Sequence, residues 1–360
     1  MPRKSLGFAK GAAALNDTEK FISVAHGRVQ SDILSVYSVV RNEMFFLPSF
    51  LEHYRGIGIR QFVFLDDRSD DGTLEYLRGQ PDCVVLASPL RFGDKIEGRR
   101  AVHLWRTCIP QKFFADKWAI CADADEFLFF PPQFKDAVQF VRYLDEIGAT
   151  AVAAVMVDFY PESIAQIESH EAPRNLSDLF ATYAWFDAGP YYRWPADHPR
   201  PIILHGGVRE RLLKKFVISK RDIYKTPLQI ALRRLKSIFV KDRNVGSIHK
   251  VPLVKWTAGR EYLHSHTLNE PPNTDFILPI AHFKFTSFLN QKIEQALSSK
   301  AYSKGSRTYF AYAELLKAMR QGDGSFLDAR SMKFSGVEDF VAADLAKFPV
   351  DVSHPNGHSI

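Results

Sequence analysis

The chain has 360 residues, 46% of them hydrophobic and 24% charged, with a formal net charge of +6. That length suits one large domain, or a core with an extension. The longest apolar run, Ala151–Val157, has seven residues, so a membrane-spanning helix of about 20 apolar residues is not expected.

The charge is uneven. Between Arg209 and Arg260 there are 15 Lys/Arg and 3 Asp/Glu. This calls for an anionic partner such as phosphate, an acidic glycan or a membrane surface. No nucleic-acid motif accompanies it, so nucleic acid is not expected as a partner. Cys83, Cys108 and Cys121 are widely spaced in apolar contexts and read as buried thiols of a reducing compartment. A cytoplasmic location follows; the basic segment either makes peripheral contact with the inner face of an anionic membrane or packs on the core domain with its charges solvated.

Residues 1–30 are basic at first, and Lys10 and Asp17 interrupt the apolar stretch. They read as a flexible lead-in rather than a signal peptide. From Ile33 strands alternate with helices. Ile33–Val40 is a buried strand. A helix opens at Pro48, with Phe50, Leu51 and Tyr54 on one side, and stops at Gly56 and Gly58. Strand Phe62–Leu65, helix Asp71–Arg78, strand Cys83–Ala87 and helix Asp94–Cys108 (ending before Pro110) follow. Then come strand Trp118–Cys121, helix Pro132–Ile147 and strand Ala151–Val157. Such alternation predicts an α/β fold: a mixed, mainly parallel sheet with right-handed crossovers, flanked by helices. After Asp158 it breaks. Tyr183–Arg200 looks like an aromatic loop. Thr226–Asp242 reads as a basic amphipathic helix, with Leu228, Leu232, Leu235, Ile238 and Phe239 on one face and Arg233, Arg234 and Lys236 away from it. The last 75 residues read as two or three helices and a polar tail. The expected organisation is therefore a lead-in (1–30), a nucleotide-binding α/β half (31–160), an acceptor-binding half carrying the basic helix (161–285) and a helical C-terminal extension (286–360).

Acidic clusters follow two of these strands, and ligands of open α/β sheets sit outside the carboxyl ends of strands. In Asp123-Ala124-Asp125, alternate residues of an extended strand end point the same way, so both carboxylates can face one ion. A hard cation so held completes its shell with substrate phosphates. Asp66 and Asp67 open a run that continues Arg-Ser-Asp-Asp-Gly-Thr. One of its carboxylates can accept from a base or ribose hydroxyl, and the others can cap the next helix. A calcium loop is excluded, because position twelve is Arg78 and not Glu. Val40-Arg41-Asn42-Glu43 ends the first strand, where a base docks beside a first βα turn. Tyr191, Tyr192 and Trp194 could stack on an acceptor sugar or simply pack in the core.

In this order and spacing VVRNE, LDDRSDDGT and DADEFL resemble the GT-A fold glycosyltransferases, closest to the family 2-like bacterial group with a DxDEF signature. The similarity covers about Leu34–Phe130. HGGVRERL, KVPLVKW and AHFKF extend it more loosely. The resemblance implies an NDP-sugar donor, UDP favoured, and Mn²⁺ or Mg²⁺. It implies Arg41 and Glu43 near the nucleotide, Asp67 on base or ribose, Asp123 and Asp125 at metal and diphosphate, and His282 completing the metal shell. Inversion is also implied on family grounds, but not the identity of the base. Single acids in the right region are Asp158, Asp187 and Glu210. Inverting transfer needs a carboxylate that takes the acceptor's proton. Arg209 and Arg211 flank Glu210; they would weaken it as a base and could instead hold the leaving diphosphate.

The expectation is a metal-dependent glycosyltransferase moving a hexose from an NDP-sugar to a glycan or lipid-linked acceptor. Two alternatives stand. A sugar-phosphate nucleotidyltransferase should carry a Gly-rich loop after the first strand, and VVRNEMFFLP has no glycine. A non-catalytic glycan- or membrane-binding module has no need of an intact Asp123/Asp125 pair.

Overall fold

The computed structural model describes residues 21–169, 171–218, 226, 228, 247–299 and 303–349. The basic helix expected at Thr226–Asp242 falls outside the described residues apart from Thr226 and Leu228. So does the lead-in up to residue 20.

Nine strands form one sheet: β1 (Ser23–His26), β2 (Ser35–Val40), β3 (Gln61–Asp66), β4 (Cys83–Ala87), β5 (Trp118–Cys121), β6 (Glu126–Leu128), β7 (Ala151–Asp158), β8 (His249–Lys255) and β9 (Asn273–His282). Their order is β1-β4-β3-β2-β5-β8-β7-β9-β6. Strands β2, β3, β4, β5, β7 and β9 run one way, and β1, β8 and β6 run against them. The sheet is thus mixed and mostly parallel, as expected. Strand β1 lies inside the stretch read as a lead-in and pairs with the edge strand β4. Strand β8 inserts between β5 and β7, so strands from residues 31–160 and 161–285 interleave in one sheet.

Helices cover both faces: α1 (Leu47–Gly56), α2 (Thr73–Arg78), α3 (Ala101–Phe113), α4 (Ala137–Glu146), α5 (Ile164–Glu168), α6 (Leu176–Thr182), α7 (Gly207–Lys215), α8 (Leu289–Ser299), α9 (Ser303–Gln321) and α10 (Glu338–Ala342). The alternation in β3 shows why both are needed. Phe62 and Phe64 pack with Phe50 and Tyr54 of α1, while Val63 and Leu65 pack with Trp105, Cys108 and Ile109 of α3. Strands buried on both faces read as continuous apolar runs, and all eight residues of β7 are buried. A third cluster joins α7, α8 and α9 through Leu212, Leu289, Tyr312 and Leu315. All three cysteines are buried thiols. No described helix is long and apolar enough to cross a membrane.

Two helices differ from expectation. The segment Asp94–Arg100 is not helical: Lys95–Ile96 pairs with Arg99–Arg100. Glu97 and Gly98 both take positive φ, 49° and 81°, as a two-residue hairpin turn requires. Glu-Gly is a weaker signal of that turn than Asn-Gly or Asp-Gly. Helix α3 then runs on through Pro110 to Phe113. Proline has no N–H to give the carbonyl four residues back, and the Tyr37 hydroxyl donates to Arg106 O instead, at 2.7 Å. Helix α4 begins later than Pro132 because Asp136 caps it, accepting from Gln139 N at 2.8 Å. Gly58, which ends the α1 turn with φ 94°, lies against this cap; a Cβ there would meet Asp136 Cβ at 2.9 Å. The segment Tyr183–Arg200 holds two short strands rather than only loop. Trp185–Asp187 pairs with Ser331–Lys333, and Tyr192–Arg193 with Ile202–Ile203.

Candidate active site

The carboxyl ends of β2, β3, β5, β7 and β9 and the amino end of β8 meet at one edge of the sheet. A cleft of about 880 Å³ opens there, lined among others by Arg41, Glu43, Asp67, Arg106, Asp123, Asp125, Glu126, Arg209, His282, Lys284 and Lys292.

The loop after β2 is braced by the acidic run after β3. Asn42 has φ 55°, the left-handed region that Asn tolerates better than most residues. Its side chain donates to Asp70 Oδ1 at 2.7 Å and accepts from Asp70 N at 2.9 Å. Asn42 N donates to Ser69 Oγ (2.9 Å), Glu43 N to Thr73 Oγ1 (3.0 Å) and Met44 N to Asp71 Oδ2 (3.1 Å). Asp66 holds Ser69, whose hydroxyl donates to it at 2.5 Å. Most of this run is therefore scaffolding; of its acids, Asp67 lines the cleft. Asp67 is 2% exposed. Its Oδ2 accepts from Phe92 N at 3.0 Å and faces Arg41 at 3.8 Å. Its Oδ1 is buried with no hydrogen-bond partner. Burial, opposed by the Phe92 N–H and the Arg41 charge, raises its pKa. Such an orphaned acceptor in a cleft wants a donor from a ligand.

Strand register assembles the second cluster. In the β9/β6 pair His282 stands opposite Glu126. In the β7/β9 pair it stands opposite Asp158. Phe283 N donates to Asp125 O at 2.9 Å, which ties the acidic loop to β9. His282 Nδ1 donates to Asp158 Oδ1 at 2.6 Å, and Nε2 faces Asp125 Oδ2 at 3.5 Å. Burial alone would lower the His282 pKa; the flanking Asp125 and Asp158 carboxylates raise it to about 9. Burial opposes ionisation of Asp125, yet His282 holds its pKa at about 2. Arg209 donates through Nε to Asp158 and keeps a buried Nη2 without a partner.

Asp123 accepts from Arg106 at 2.5 Å and lies 3.5 Å from Lys250 Nζ. These two cations hold it far below the usual carboxylate range against the pull of burial. Lys250 is fully buried and ion-paired to Glu126. Opposite them, Glu43 Oε1 meets Lys292 Nζ of α8 at 2.5 Å. Lys284 lies over the Tyr309 ring, 5.2 Å from its centroid, and pairs with no carboxylate among the described residues.

Of the residues singled out in the sequence, the cleft gathers Val40, Arg41, Glu43, Asp67, Asp123, Asp125, Arg209 and His282. Asn42, Asp66 and Asp158 act from behind it. Glu210 lies elsewhere, accepting from Gly206 N and pairing with Lys214, each at 2.6 Å. Arg211 is spent on Asp187 (2.7 Å) and Phe326 O (2.8 Å). Tyr191 is a core residue whose hydroxyl donates to Asp187 O. Tyr192 donates to Leu345 O at 3.1 Å and Trp194 to His198 O at 2.9 Å; none of the three aromatics lines the cleft. Arg106, Lys250, Lys284 and Lys292 went unnoticed in the sequence. Their signal was faint: an Arg amid the apolar residues of α3, and a Lys heading the apolar strand KVPLVK.

Among the described residues no group of three or more His, Cys, Asp or Glu side chains stands ready as a metal cage. Asp125 and His282 nonetheless face each other. His282 is oriented from behind by Asp158, the second-shell arrangement of metal-ligating histidines. The chain matches no protein-family model and no curated protein.

Proposed function

We propose that the cleft binds a nucleoside diphosphate sugar, UDP-linked by preference, and transfers the sugar to a hydroxyl of a glycan or lipid-linked acceptor, in the manner of GT-A glycosyltransferases. One juxtaposition carries this reading. Asp67, with a buried and unpartnered Oδ1, follows β3, and two strand spacings away, about 10 Å, the Asp123/Asp125 pair follows β5. The interval has room for a ribose and a diphosphate.

On this reading Asp67, flanked by Arg41, accepts from base or ribose. Asp125 and His282 suit a divalent ion such as Mn²⁺ or Mg²⁺, with phosphate and water completing its shell. Asp123, held by Arg106, is the neighbouring carboxylate. Bound there, such an ion would neutralise charge on the leaving diphosphate. Arg209 Nη2 and Lys284 add cationic donors beside the Asp125/His282 pair, where diphosphate charge grows as the bond to the sugar breaks. The acceptor is a hydroxyl that needs a base, and neither Asp158, locked between Arg209 and His282, nor Glu210, outside the cleft, has a free lone pair directed there.

The test is to incubate the protein with a panel of NDP-sugars and Mn²⁺ and follow NDP release. Release from one sugar nucleotide supports the reading. Pyrophosphate formation from sugar phosphate and NTP would replace it with nucleotidyl transfer, and binding without turnover would replace it with a carbohydrate-binding role.

A further inference from the structure

We propose that Glu43 is the general base that removes the acceptor's proton; the inference rests on the transferase reading above. It starts from the left-handed Asn42. That residue turns the chain so that its two neighbours diverge. Arg41 reaches toward Asp67, at 3.8 Å, whereas Glu43 reaches across the cleft to Lys292 of α8, at 2.5 Å. The loop is packed against α8 where it does so. Phe45 stacks on Phe288 at 5.2 Å and Phe46 meets the same ring edge-on at 5.7 Å, which pins the loop to the start of α8. A base must be held in one geometry by its surroundings, and this one is held from both sides.

Availability points the same way. Asp123 is taken by Arg106 and Lys250, Glu126 by Lys250, and Asp158 by Arg209 and His282; on the reading above Asp125 serves the metal, and Asp67, whose Oδ1 has no partner, serves the nucleoside. Glu43 spends only Oε1, on Lys292; Oε2 accepts no hydrogen bond from the described residues while the side chain lines the cleft. The charged groups around it are Lys292 from α8 and Asp125 and Asp123 from the loop after β5. Burial outweighs the attraction of Lys292, the two aspartates add repulsion, and its pKa rises to about 7, the range in which a base works best near neutrality.

In the step, an acceptor oxygen lone pair forms the bond to the anomeric carbon. The acceptor proton passes to Glu43 Oε2. The bond from anomeric carbon to phosphate oxygen breaks, and its electron pair leaves with the nucleoside diphosphate. Atoms and charge balance without a further reactant.

The experiment compares wild type, Glu43→Gln and Lys292→Met in donor turnover against pH, with calorimetric NDP binding measured in parallel. Expected are a fall in kcat of roughly 10²–10⁴-fold for Glu43→Gln, NDP affinity within about twofold of wild type, and loss of the wild-type acidic limb. Lys292→Met should move that limb to higher pH, because Lys292 favours the ionised carboxylate. A Glu43→Gln enzyme with unchanged kcat and raised donor KM would overturn the proposal in favour of a binding role, as would an acidic limb that persists in it. A wild type that binds no NDP would remove the transferase reading itself, and the base with it.

Discussion

Lys250→Met should destabilise the protein by about 3–5 kcal/mol near pH 8, the range for breaking a buried ion pair from one side. The ammonium has no exposure and sits against Glu126, itself 2% exposed. Methionine fills similar volume, so the loss is electrostatic rather than a cavity. Arg106 still covers Asp123, which leaves Glu126 as the uncompensated charge. The pH dependence follows from its pKa, already raised above 4.5 by burial. Removing Lys250, which opposes that rise, pushes it higher. A carboxyl whose folded pKa exceeds its unfolded one binds protons more tightly when folded, so stability falls as pH rises through that interval. The deficit of the variant should therefore be largest near pH 8 and shrink toward pH 5. Urea melts at both pH values, with slopes compared to confirm that the same surface is exposed, give the numbers. Lys250→Met/Glu126→Gln should recover most of the loss. A single variant that loses under about 1 kcal/mol, or a double variant no more stable than the single one, would refute the argument.

Asp125→Ala should cut donor turnover at least about a hundredfold, consistent with a Lewis-acid contribution of several kcal/mol; its melting temperature near neutral pH should fall, because His282 holds the Asp125 carboxylate ionised and its removal takes one of two counter-ions from the buried imidazole. Asp67→Ala should raise the donor KM by roughly ten- to a hundredfold, the worth of a buried charged hydrogen bond, with a smaller change in kcat. Tyr37→Phe should cost about 1–3 kcal/mol by stranding Arg106 O, and Pro110→Ala in the same chain should restore part of it by returning a helical N–H; equal stability of Tyr37→Phe and wild type would show that water replaces the hydroxyl.

The parallel core of the fold was legible because β2, β3, β4, β5 and β7 are buried on both faces and spell short apolar runs between glycines and prolines. The helix through Pro110 was not, since its rescue comes from Tyr37, 69 residues away in sequence separation from Arg106. Strands β8 and β9 were hard to see for a similar reason: a buried Lys250 and an internal Pro279 break the apolar pattern. In the site, the sequence made the carboxylates visible and left their counter-ions hidden. Asp67, Asp123 and Asp125 follow their strands directly, whereas Arg106, Lys250 and Lys292 reach the cleft only through sheet order and helix packing. Charge alone also misled. Glu210 and Arg211 follow Arg209 in the chain, but one and two helical positions respectively turn them away from the cleft that Arg209 lines.

The central claim is that this cleft holds a nucleoside diphosphate between Asp67 and Asp125. Calorimetric titration of the wild-type protein with UDP, with and without Mn²⁺, tests it most directly. The account predicts binding that Mn²⁺ strengthens, that Asp67→Ala weakens in both conditions, and that loses its Mn²⁺ dependence in Asp125→Ala. No heat of binding in either condition, or UDP binding indifferent to both substitutions, would contradict it.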